Sequence, residues 1–267
     1  MSSTNIKIVV WHVLVVLFAL LMWGSGSSGT HFNEVTGLDV EPVSFFAFLF
    51  LTSLIALGYT IFRAKSRLWP LTISLIVGVL FMAQFGFSLL NLLGVAIFTG
   101  LNYEASSRVG KEASYRLKID SHTILRRGLA PIIIGIFILI SFAGYRSSLA
   151  EDIKSKGRLP NQVQEFIRQV VEKTVGNKLD GATPKEKQSI MSEVSRQVFQ
   201  DANNFLKPYF RYAPPALAFG LFLILLGLSW LFISISMLVG ALLFWVLKKT
   251  NVVEIKTKQV EAEILVV

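Results

Sequence analysis

The sequence predicts an all-α polytopic membrane protein with about six transmembrane helices, a small extramembrane helical hairpin domain and a short β-prone C-terminal tail. Three observations carry that prediction. The 267 residues are 53% hydrophobic and only 16% charged, with mean hydropathy +0.59, whereas a soluble domain is about a quarter charged. The apolar residues gather into long blocks at 8–23, 43–62, 68–101, 129–145 and 214–247. Lys and Arg cluster at the block ends, as the positive-inside pattern requires.

The first block, 8–23, follows Lys7. It resembles a signal-peptide core in length, but the small residues after it (Gly24, Ser25, Gly26, Ser27, Ser28, Gly29) contain no A-x-A-like cleavage site, so it reads as a retained helix. The following loop, 24–42, has no Lys or Arg and carries Glu34, Asp39 and Glu41. Its Gly/Ser run reads as a flexible spacer. Block 43–62 ends in the basic loop Arg63, Lys65 and Arg67. The N-terminus is therefore expected on the cytoplasmic side, the first loop outside, and residues 63–67 inside.

Block 68–101 is far longer than the ~20 residues a span needs, and both of its flanks are basic. The second flank, 102–128, holds Arg108, Lys111, Arg116, Lys118, Arg126 and Arg127. Two short helices, 68–84 and 86–101, turning at Gly86 satisfy both flanks. A single long helix would strand the second group outside. Residues 121–127 are expected to form an interfacial helix that sets Arg126 and Arg127 against lipid phosphates. Block 129–145 then carries the chain out.

Residues 146–213 are the water-soluble stretch. They are rich in Lys and Arg, but the charge rule loses force in loops beyond about 60 residues, so an extracytoplasmic position is expected. Val163, Phe166, Ile167, Val170, Val171 and Val175 recur at helical spacing, after Pro160 and before Gly176 and Asn177. Thr183, Pro184 and Glu186 form a capping box for a second helix. Its apolar stripe is Ile190, Met191, Val194, Val198, Ala202, Phe205 and Leu206. Ser148 and Glu151 suggest a shorter helix before both. The two long helices are expected to form a hairpin with facing stripes. Because two helices alone bury too little to fold, the stripe of Val163, Phe166, Ile167, Val170, Ile190, Val194, Val198 and Phe205 is the candidate interaction surface. Tyr209, Phe210 and Tyr212, beside Lys207 and Arg211, read as an interfacial anchor.

Block 214–247 is expected to be one long tilted helix, giving six crossings. A hairpin near Ser229 and Trp230 would give seven, but Lys248 and Lys249 favour a cytoplasmic end and contact with lipid headgroups. The tail, 248–267, alternates Val253, Ile255 and Thr257 with Glu254, Lys256 and Lys258, a strand periodicity that needs a pairing partner. The resulting divisions are 1–145, 146–213, 214–247 and 248–267.

Chemistry is sparse. The absence of cysteine removes disulfides and thiolate chemistry. His12, His31 and His122 are too scattered to suggest a metal site, and no cofactor motif occurs. The net charge of +9 is explained by the block flanks, with no basic run interleaved with aromatics that would indicate nucleic acid. No Asp, Glu, Lys or Arg lies within a block, so a proton- or cation-coupled transporter is hard to build. His12, near one end of its block, reads as an interfacial histidine. The most polar membrane spot is Gln84, Ser88 and Asn91, read as interhelical hydrogen bonding, with a pore lining as the alternative. Ser229, Ser234 and Ser236 need only bond their own backbones. Asp120, Ser121 and His122 adjoin in sequence, which is not evidence of a triad. Glu151 and Asp152 lack a convincing catalytic partner. The functional expectation is a non-enzymatic envelope scaffold or assembly protein in the cell membrane, whose partners are the lipid bilayer and either a second copy or another membrane protein. The alternatives are an oligomeric channel or passive transporter and, behind it, an interfacial enzyme acting on lipid or envelope precursors.

Overall fold

The computed structural model describes residues 3–36, 40–62, 68–115, 121–145, 153, 155, 157–159, 161–175 and 184–253. All regular structure among them is helical. The helices are α1 (Ser3–Thr36), α2 (Val40–Phe62), α3 (Trp69–Phe85), α4 (Leu89–Tyr115), α5 (Ser121–Tyr145), α6 (Asn161–Val175), α7 (Pro184–Leu206), α8 (Ala213–Gly227) and α9 (Ser229–Lys249), with a 3₁₀ segment at Lys207–Tyr212. Five stretches are long and apolar enough to cross a membrane: Asn5–Gly24, Pro42–Phe62, His122–Tyr145, Lys185–Gly227 and Ser229–Lys249. The apolar helix Trp69–Phe85 is shorter, at 17 residues.

The chain forms two compact units, one within Met1–Leu139 and Gly227–Val267, the other within Ile140–Leu226. In the first, helix directions follow from pairwise contacts. Trp11 Nε1 donates to the Leu54 carbonyl, and the Ser44 hydroxyl donates to that of Leu21, so α1 and α2 run antiparallel. His12 meets Trp69 while Trp23 meets Phe81 and Phe85, so α1 and α3 run parallel. Asn102 Nδ2 donates to Ser74 Oγ at 3.0 Å and Val95 faces Gly78, which makes α3 and α4 an antiparallel hairpin. Phe98 lies on Gly135 and Val109 on Gly128, so α5 reverses α4. Phe48 meets Phe232, and Ser53 meets Ser236 and Gly240, so α9 runs with α2.

These directions gather the start of α1, the end of α2, the start of α3, the end of α4, the start of α5 and the end of α9 at one end of the unit. Lys7 Nζ donates to the Val252 carbonyl at 2.9 Å, which ties the two chain extremities of that end together. Lys7, Arg108, Arg126, Arg127, Lys248 and Lys249 all belong to it. Leu139 on α5 and Ser229 at the start of α9 belong to the opposite end.

The centre is α2. Ala47, Leu51, Thr52, Ser53, Ile55, Ala56 and Tyr59 are all buried, because small residues on several faces let neighbours approach closely. The outer faces are apolar instead of charged: Val9, Val13 and Leu20 on α1, Leu71 and Leu75 on α3, Leu92 and Leu93 on α4, Leu238 and Leu242 on α9. A sheath this extensive suits a hydrocarbon solvent, since water would oppose it.

The α3–α4 turn has two sequence determinants. Gly86 takes φ 82° and ψ 155°, a region effectively reserved for glycine. Gly78 allows the close approach, since a Cβ there would lie 2.5 Å from Val95 Cγ1. Val95 is β-branched and stiff in a helix, so Gly78→Ala is expected to destabilise the protein by about 1–2 kcal/mol through overpacking. Val95→Ala in the same chain should restore most of that loss. Denaturant unfolding in detergent of both single variants and the double variant measures the coupling, and simple additivity would refute the contact.

Several boundaries differ from expectation. The helix expected over 8–23 continues as α1 to Thr36, so the Gly/Ser run is not a loop. Glycine weakens a helix without removing a hydrogen bond, and no proline occurs before Pro42. Much of the expected inner loop 102–128 is helical, because α4 extends to Tyr115 through helix-forming residues and the Glu104–Arg108 pair. The interfacial helix expected over 121–127 is the first part of α5. The single helix expected over 214–247 is divided at Leu228, which has φ −87° and ψ −2° between Gly227 and Ser229, two residues with low helix propensity. Pro208, which removes a backbone donor, falls in the 3₁₀ segment, and Pro214 and Pro215 fall in the first turn of α8, where a missing N–H costs nothing. The tail from Glu254 onward, Asp120, Glu151, Asp152, the Ser148–Glu151 motif and Thr183 lie outside the described residues.

Candidate functional site

The polar residues of the α3–α4 hairpin meet at its tip. Ser88 Oγ accepts the Asn91 backbone N–H at 3.1 Å, capping α4. Asn91 is fully buried, and its Nδ2 donates to the Phe85 and Gly86 carbonyls at 3.3 and 2.8 Å. Those carbonyls belong to the end of α3 and the turn, where helical partners run out. The amide therefore does the work of a missing backbone turn. Gln84 lies on the last turn of α3, beside them in the chain, and also has a partner. Among the described residues, Asn91 Oδ1 has no hydrogen-bond partner.

A second polar contact was not legible in the sequence. Thr52 Oγ1 donates to Ser236 Oγ at 3.0 Å, and Ser53 Oγ to the Ser236 carbonyl at 2.7 Å. All three residues are buried. Ser234 does bond its own helix, to the Trp230 carbonyl. Ser236 instead joins α9 to α2, which corrects its expected local role. His12 is placed by the Ile8 carbonyl at 2.9 Å and Thr72 Oγ1 at 3.2 Å, with its ring edge on Trp69.

In the second unit, α6 and α7 pack as an antiparallel hairpin, with the Leu159 N–H donating to Asn203 Oδ1 at 2.9 Å. Val171 and Ser195 are buried, and Val163, Ile167, Met191 and Val194 are half-buried. The stripes do not close fully on each other. Phe166 is 64% exposed and Phe205 73%, with Val170, Ile190 and Val198 also exposed. Each stripe is wider than one helix–helix seam, so its outer edge remains uncovered. The charged face carries the ion pairs Arg168–Glu165 and Arg196–Glu193, each at 2.7 Å. Hydrogen bonding to Arg196 holds the Glu193 carboxyl below the usual carboxylate range.

The four basic residues expected at lipid headgroups occupy the basic end of the first unit. Lys249 Nζ lies 5.0 Å from the Trp245 ring centre, a cation–π contact suited to a membrane interface. Arg127 lies 3.7 Å from Glu112. Among the described residues, no three His, Asp or Glu side chains come together as metal ligands. No protein-family model, no curated protein and no solved structure matches this chain.

Proposed function

We propose that the chain is a multi-pass scaffold or assembly protein of a cell membrane that engages a protein partner through the uncovered apolar edge of its α6–α7 hairpin. The observation that carries this reading is the exposure of Phe166, Val170, Ile190, Val198 and Phe205 on a hairpin whose other face is charged. Exposed aromatic and aliphatic side chains gathered at helical spacing have the anatomy of a binding-surface core. The partner is a second copy or another membrane protein.

Six crossings, α1 to α5 and α9, accompany the proposal. The alternating helix directions support it, as does the collection of Lys7, Arg108, Arg126, Arg127, Lys248 and Lys249 at one end. That end is cytoplasmic, and the charged domain 146–213 is extracytoplasmic. The channel alternative has less to rest on, because Asn91 and Ser88 are engaged with the hairpin's own backbone.

The cysteine-free chain makes the test direct. Cysteine at Phe166 or Val198, crosslinked in native membranes with a short bifunctional maleimide, is expected to yield an intermolecular adduct. Cysteine at the exposed Glu165, on the charged face, should not. Monomer alone from both apolar positions would refute the interaction surface. Accessibility of the same cysteines to an impermeant maleimide reports the side of the membrane.

A further inference from the structure

We propose that the pocket between the end of α4 and the start of α5 is a binding site for a phosphate group carried by a larger ligand. The cavity, of about 380 Å³, is lined by Arg108, His122, Thr123, Arg126, Arg127 and Ala130. That volume falls in the range of small-molecule sites and exceeds what a bare inorganic ion fills. His122 and Arg126, and likewise Thr123 and Arg127, stand one helical turn apart, so four polar side chains of α5 share one side of the helix. Arg108 joins them from α4.

The charge balance favours an anion. Arg108 is paired with Glu104 and Arg127 more loosely with Glu112, at 3.7 Å. Among the described residues, Arg126 has no ion-pair partner and no acidic side chain lines the cavity. Guanidinium groups present planar forks of N–H donors that match phosphate oxygens bidentately. Thr123 also lines the cavity. The first turn of α5 also brings backbone N–H groups without helical acceptors and the positive end of the helix dipole. Three guanidiniums around one cavity suit a tetrahedral, multiply charged group better than a single carboxylate.

Two sources could supply that group. Arg126 and Arg127 immediately precede the apolar run that begins at Leu129, which sets the pocket at the headgroup level of a membrane and favours an anionic lipid. That preference rests on the membrane placement proposed above. A soluble phosphate monoester presents the same chemistry and does not depend on it.

Calorimetry on the full chain in dodecylmaltoside distinguishes them, with dihexanoyl phosphatidic acid, dihexanoyl phosphatidylcholine and glycerol 3-phosphate as probes. Phosphatidic acid is expected to bind at least about tenfold more tightly than phosphatidylcholine, and Arg126→Gln to weaken it about tenfold, the scale of one charge-assisted hydrogen bond. Arg126 is exposed, so the variant should retain the wild-type elution volume. If it does not, Arg127→Gln serves in its place. Lys248→Gln with Lys249→Gln, at the same end but outside the pocket, should change affinity less than twofold. Binding of glycerol 3-phosphate comparable to phosphatidic acid identifies a soluble ligand, and its absence identifies a lipid. The site is refuted if no phosphate probe binds, if the arginine variants leave affinity unchanged, or if the lysine pair weakens it equally. Carbonate extraction tests membrane residence separately, so failure of that placement is not confused with failure of the pocket.

Discussion

Phe137→Ala is expected to destabilise the helix bundle by about 2–3 kcal/mol, more than the overpacking expected of Gly78→Ala. The ring is 1% exposed. It stacks on Phe48 with centroids 5.9 Å apart and planes 6° apart, and it meets Phe232 edge-on at 5.2 Å. Phe48 and Phe232 touch each other at 5.4 Å, so one cluster joins α2, α5 and α9. In water, Phe→Ala costs about 3–5 kcal/mol, combining lost transfer energy with the cavity left behind. In a bilayer the separated helices still face hydrocarbon, so the transfer part largely cancels and packing remains. The expected loss is smaller for that reason. Leu75→Ala, on the sheath at 67% exposure, should cost less than about 0.5 kcal/mol by the same reasoning. Unfolding of both variants in mixed micelles under increasing sodium dodecyl sulfate compares them. Equal losses would mean that the aromatic cluster does not hold the bundle.

That cluster also shows where sequence reasoning stops. Blocks and their basic flanks are local patterns, and the turn at Gly86 is local too, since a glycine between Phe85 and Phe87 interrupts a block with basic residues on both sides. The helical hairpin of the second unit is likewise written in the three- and four-residue recurrence from Val163 to Val171 and from Ile190 to Val198. By contrast, Phe48, Phe137 and Phe232 are three of 21 phenylalanines, mostly in equally apolar surroundings, and nothing local marks which of them face inward. The Thr52–Ser236 bond spans 184 positions, and a serine in an apolar helix is equally consistent with bonding its own backbone. In lipid, the outward face is as apolar as the inward one, so the amphipathic signal that orients helices in soluble proteins disappears. The division at Leu228 falls beside the turn at Ser229 and Trp230 that the sequence offered as its alternative to one long helix. Recurrence also identified the stripes of α6 and α7 without revealing how much of each the hairpin would cover. The arginines around the α4–α5 pocket were legible as a flank, but their convergence on a cavity was not, because it depends on α4 and α5 packing antiparallel.

Asn91→Leu is expected to destabilise the α3–α4 hairpin by about 2–4 kcal/mol while leaving solute flux unchanged. Leucine keeps the branching and the number of heavy atoms but removes both N–H donors, so the Phe85 and Gly86 carbonyls lose their side-chain donor in two part-buried bonds at the hairpin tip. An acceptor left unsatisfied costs about 1–3 kcal/mol when buried, and the lower part of that range suits these part-buried bonds. Ser88→Ala should cost about 1 kcal/mol, as loss of an N-cap does. The most discriminating substitution is Asn91→Asp, which keeps the size and polarity but has no amide donor. If Asn91 acts through its two donated bonds, the aspartate should be at least as damaging as leucine, since burial also penalises its charge. If Asn91 instead lined a pore, the aspartate should be tolerated and should raise cation flux in reconstituted liposomes. Stability and flux measured on the same preparations separate the two cases: loss of stability with constant flux supports the hairpin role. A folded Asn91→Asp protein with enhanced conductance would overturn it and restore the channel reading.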